Sequence, residues 1–80
     1  MTAADITAGA WVRFPSWDQW RYVRAARHTP FSESEPRGSG FVQYDASDSP
    51  TDRFSTFGGF APHEQECLVV TVTPQVVAHV

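Results

Sequence analysis

The sequence predicts a mostly β domain, a small antiparallel barrel or sandwich of five to six strands, and three observations predict it. Short segments alternate apolar and polar residues with period two, as half-buried strands do. Turn-forming clusters of Gly, Pro, Ser and Asp interrupt them at spacings of roughly eight to twelve residues. The chain is also short, 80 residues, and closing a small sheet on itself protects edges that an open sheet would leave bare.

The first element follows a short polar lead punctuated by Thr7-Ala8-Gly9. Ala10-Trp11-Val12-Arg13-Phe14 puts Ala10, Val12 and Phe14 on one face and Trp11 and Arg13 on the other. Pro15-Ser16 closes this strand, because proline cannot donate to a ladder, and residues 16–19 make a turn. Residues 20–27 again have period two, with Trp20, Tyr22 and Arg24 opposite Arg21, Val23 and Ala25. A helix stays open here, since no glycine or proline interrupts residues 18–27 and several are good helix formers. Residues 28–40, with Pro30, Pro36, Gly38 and Gly40, read as a long loop.

Gly40-Phe41-Val42-Gln43-Tyr44-Asp45 is the third strand, and Ser47-Asp48-Ser49-Pro50 turns it into a fourth at residues 53–57, forming a hairpin. Gly58-Gly59 is expected to break that strand, and residues 60–64 to cross over through a short 3₁₀ turn. Cys67-Leu68-Val69-Val70-Thr71-Val72 is apolar on both faces and β-branched, the pattern of a strand covered on two sides. Pro74 ends it, and residues 75–80 offer a possible further strand, either folded back on the same sheet or engaged in self-association or a partner contact. No internal repeat or linker divides the chain, so residues 1–80 read as one domain.

The segment Thr7-Ala8-Gly9-Ala10-Trp11-Val12-Arg13-Phe14, with Gly40-Phe41-Val42-Gln43-Tyr44 later, resembles the opening and middle hairpins of SH3-like small barrels. The resemblance spans roughly residues 6–72 and implies a small β-barrel fold. It carries no ligand with it, because the acidic loop and paired aromatics of peptide-binding SH3 domains have no placeable counterpart.

Composition narrows the function. A net charge of −3 disfavours a protein that draws its affinity from neutralising phosphates, although a local basic patch remains compatible with it. All six cations are arginine, and lysine and asparagine are absent, the mark of GC-rich codons and hence of a high-GC bacterium or a bacteriophage. The lone Cys67 cannot form an intrachain disulfide, and no basic-then-apolar leader or long apolar run stands out, so the expected location is cytoplasmic, without membrane contact.

Aromatic residues dominate so small a chain, and they either cap the ends of a barrel or form a binding face. The candidate face is Trp11, Arg13, Trp20, Tyr22 and Arg24, residue types that dominate interface hot spots. The expected function is a non-catalytic protein–protein interaction module, its partner a host or cellular protein. The alternative is a single-stranded nucleic-acid binder that stacks bases on the same side chains.

No cofactor, metal or catalytic residue is expected. His28, His63, His79 and Cys67 lack zinc-module spacing. Cys67 opens an apolar strand and reads as a small buried hydrophobe. Glu33 and Glu35, like Asp45, Asp48 and Asp52, read as solvated loop charge, the second set lacking the glycine and terminal glutamate of a calcium loop.

Overall fold

The computed structural model describes residues 1–30 and 40–71. A 3₁₀ turn at Ala3–Asp5 precedes five strands: β1 (Trp11–Arg13), β2 (Arg21–Thr29), β3 (Phe41–Ser47), β4 (Phe57–Pro62) and β5 (Leu68–Val70). They form one antiparallel sheet in the order β4-β3-β2-β1-β5. The mostly β class therefore holds, but β4 and β5 lie at opposite ends of the sheet, which is not closed into a barrel. No helix among the described residues is long and apolar enough to cross a membrane.

The polar lead is not idle. Its 3₁₀ turn is closed by the Asp5 carboxylate, which accepts the Thr2 N–H at 3.1 Å. The turn seats Ala3 and Ile6 in the core beside Ala10, Val12, Phe14, Val23, Val42, Ala61, Cys67 and Val69. β1 then alternates as expected, pairing with β2 through Trp11 and Tyr22 and with β5 through Trp11 and Val70.

β2 resolves the open choice in favour of strand and runs through His28 and Thr29, residues the sequence assigns to the loop. They are held because they pair with Val42 and Phe41. Trp20 lies just before the strand. Strict alternation also fails inside β2: Val23 pairs with Ala46 but Ala25 with Asp45, so Arg24 is the extra residue of a β-bulge. Beyond it the phase inverts, with Ala26 and His28 turned to the core side and Ala25, Arg27 and Thr29 exposed.

The fourth strand differs most from expectation. Residues 53–56 are bend and loop, and β4 runs straight through Gly58 and Gly59 to Pro62. Gly59 is where Tyr44 lies across the strand, a β-carbon there coming within 2.8 Å of the Tyr44 hydroxyl, and a β-carbon on Gly58 would come within 3.3 Å of the Asp45 carboxylate. Hence the two glycines mark a close cross-strand approach, not a break. The crossover contains a turn at His63 and Glu64 in place of a 3₁₀ turn.

β5 is shorter than its apolar run and is covered on one side only. Cys67 and Val69 point into the core while Leu68 is 54% exposed, because as the last strand of the described sheet it offers alternate residues to solvent. The middle of the predicted long loop, residues 31–39, and the predicted C-terminal strand, residues 75–80, lie outside the described residues.

Candidate functional site

Where β1 ends, proline stops the ladder and the chain turns, with Trp17 N–H donating to the Phe14 carbonyl at 2.9 Å. Arg13 fixes this turn by donating from Nε to the Trp17 carbonyl at 3.0 Å. Trp17 thereby meets Phe14 edge to face, ring centres 4.8 Å apart, and Tyr44 of β3 completes a trio at 5.7 Å from Phe14 and 6.0 Å from Trp17. Between this trio and β4 lies a cleft of about 420 Å³, lined by Phe14, Pro15, Ser16, Trp17, Tyr44, Phe60, Ala61, Pro62 and Gln65. No lining side chain is charged, and the polar groups are the Ser16 and Tyr44 hydroxyls and the Gln65 amide.

Arg21 braces the far end of the trio. Its guanidinium lies 4.7 Å from the Trp17 ring centre and 3.6 Å from that of Phe57, with the Asp48 carboxylate 3.9 Å from Nε. Burial pushes the Tyr44 phenol up, and the Arg21 charge opposes that only in part. Tyr44 is thus a neutral hydrogen-bonding group at the cleft wall.

The five residues singled out from the sequence occupy different situations. Trp11 and Tyr22 do meet, edge to face with centres 5.5 Å apart, but Trp11 is only 9% exposed. Trp20 is half-buried ahead of β2. The Arg13 guanidinium serves the Trp17 carbonyl. Arg24, carried sideways by the bulge, donates to the carbonyls of Asp52 and Arg53. Trp17 and Phe60, which line the cleft, read in sequence as turn and crossover; the dense aromatics were the signal for them, without the register needed to place them.

Two histidines far apart in sequence form a second polar feature. His63, 1% exposed, accepts the Gly40 N–H on Nδ1 at 3.1 Å, so its proton is on Nε2. That N–H faces His28 Nδ1 at 2.8 Å, and His28 Nε2–H in turn donates to the Ile6 carbonyl at 2.6 Å. Every proton in the chain from Gly40 to Ile6 therefore has one direction. A metal between the rings would need a lone pair on His63 Nε2, which the Gly40 contact denies.

Among the described residues no group of three or more His, Cys, Asp or Glu is placed to hold a metal ion. Cys67 is buried and free; burial pushes its thiol up, the terminal ammonium opposes, and Asp5 and Glu66 add to the rise, the reverse of what an activated thiolate needs. Of the carboxylates, Asp52 accepts the Ser49 N–H and Asp48 accepts the Gln19 amide. Glu33 and Glu35 lie outside the described residues. No protein-family model matches the chain, and neither a curated protein nor a solved structure matches it.

Proposed function

We infer that the chain is a non-catalytic protein-interaction module whose cleft between the Phe14–Trp17 turn and β4 receives an extended, largely apolar segment of a partner protein. The uncharged aromatic lining carries this reading. Such a wall rewards apolar contact, while the Ser16, Tyr44 and Gln65 groups at its rim can fix the direction of a bound backbone. The cleft volume of about 420 Å³ is at the lower end of ligand sites, fitting a few side chains better than a large cofactor.

The Trp11, Arg13, Trp20, Tyr22 and Arg24 set is a poorer contact surface, because Trp11 has little area left and two of its arginines bind their own backbone. Those same ties weaken the nucleic-acid alternative, which needs free cations on a chain of charge −3. The likeness to SH3-like small barrels extends to a small antiparallel β fold without the barrel closure and assigns no ligand.

The test is capture with the tagged chain from nuclease-treated lysate of its source. A bound protein retained by the native chain should be lost with Phe60→Ser and with Ser16→Arg, both at exposed lining positions, while melting stays within a few degrees of native. Equal retention by the variants, or loss of everything with nuclease, would reject the reading.

A further inference from the structure

The outward face of β2, β3 and β4, which meets the cleft at Phe60 and Pro62, carries a feature of its own. Beyond the bulge, the outward residues of three neighbouring strands form a grid set by register. Arg27, Gln43 and Phe60 make its middle row, flanked by Thr29, Phe41 and Pro62 on one side and by Ala25, Asp45 and Gly58 on the other. All nine are exposed, Phe41 by 39% and Phe60 by 67%, and the two rings touch with centres 5.7 Å apart. Arg27 and Asp45, opposite charges on one face, form no ion pair with each other or with any described residue.

We propose that this face binds a second copy of the chain across a two-fold axis lying in the face and running from Ala25 through Gln43 to Pro62. Strands are about 4.8 Å apart and same-face residues along a strand about 6.7 Å, so such a rotation exchanges rows for columns with a mismatch of about 2 Å. It lays Arg27 of each copy over Asp45 of the other and Phe60 of each over Phe41 of the other. Thr29 of each meets the bare backbone of Gly58, and Gln43 meets its own image on the axis. The two sheets then cross near 90°, one of the two standard ways sheets stack.

The alternative diagonal sets Phe60 against Asp45, and the axes along or across the strands set Asp45 against Asp45 or Arg27 against Arg27. Only the first rotation pairs every charge and both rings, which is the self-complementarity an isologous contact requires. Three short strands cover roughly 300 Å² per copy, well under the approximately 800 Å² of a standard interface, so the contact is weak and concentration-dependent. It shares Phe60 and Pro62 with the cleft, but neither Arg27 nor Asp45 lines the cleft, so substitutions of those two charges test this face apart from it.

Sedimentation equilibrium on the full chain from about 0.01 to about 1 mM tests it, the range in which so small an interface would associate. The native chain should pass from monomer to dimer. Arg27→Asp alone and Asp45→Arg alone each place like charges in contact twice, and each should weaken dimerisation at least about tenfold with melting unchanged. An equimolar mixture of the two variants should recover it, because every contact between unlike variants again joins opposite charges. A native chain that stays monomeric throughout, which would leave the face to another partner, overturns the proposal. Dimerisation indifferent to both substitutions, or a mixture that fails to recover it, does the same.

Discussion

The hydroxyl of Tyr44 occupies the space a side chain at position 59 would need, and this approach explains the glycine there, while a β-carbon on Gly58 would come within 3.3 Å of the Asp45 carboxylate. A β-carbon there would meet the hydroxyl at 2.8 Å and the adjoining ring carbon at 3.1 Å, so the ring must move and the Phe14–Trp17–Tyr44 trio with it. Gly59→Ala should cost about 1–3 kcal/mol by urea unfolding, and less in a Tyr44→Phe background, where the nearest atom is gone. Equal costs in the two backgrounds would show that the clash is not the cause. The histidine chain sets a second expectation at this scale. Replacing His63 by Leu keeps bulk but strands the Gly40 N–H and takes the partner from His28 Nδ1, costing about 2–4 kcal/mol. Differential scanning calorimetry would read this as a drop in Tm of several degrees or more.

At the scale of the element, the bulge in β2 decides which side chains face inward. With Arg24 bulged out, both Val23 and Ala26 reach the core side; were Arg24 instead paired in a regular ladder, every residue beyond would change face. Deleting Arg24 should therefore leave Ala26 and His28 facing the core in a regular ladder and keep the cooperative melt, at about the same cost as Arg24→Ala, roughly 1 kcal/mol for the lost carbonyl contacts. A deletion variant that loses its cooperative melt would mean that Arg24 is not the extra residue. The same element shows where reading the sequence ends. β1 was legible because unbroken alternation fixes both strand and inward face, and β3 because turn signals bound an alternating run. Nothing local marks Arg24 as the extra residue, since the bulge is defined only by the partner strand. Gly58-Gly59 was likewise misread because its meaning lies in Asp45 and Tyr44 on the partner strand, and Leu68 because a local apolar run does not reveal a strand's rank in the sheet. The cleft was hidden for the same reason: Trp17 and Phe60 are 43 residues apart in the numbering and line one cleft only because the turn after β1 packs on Tyr44 of β3, which pairs with β4.

For the whole molecule, alkaline pH should be the weak side. Burial raises both the Cys67 thiol and the Tyr44 phenol above their ordinary values of 9.0 and 10.0, so the folded chain holds these protons more tightly than the unfolded one. Their contribution is complete below the unfolded values and falls as pH rises through them, the unfolded state then binding fewer protons. Urea midpoints should thus decline above about pH 9, and Cys67→Ala should remove the first part of that decline. The order β4-β3-β2-β1-β5 has a further consequence, one of timing. β1 is flanked by β2, its neighbour in sequence, and by β5, which emerges last among the strands. The hairpins of β2, β3 and β4 can pair as each is made, yet the Trp11 strand stays half-bonded until Val69 and Val70 arrive. A nascent chain halted before β5 would present β1 as an open edge to any neighbouring strand, so for this fold the hazard of wrong pairing is concentrated in the interval before β5 emerges.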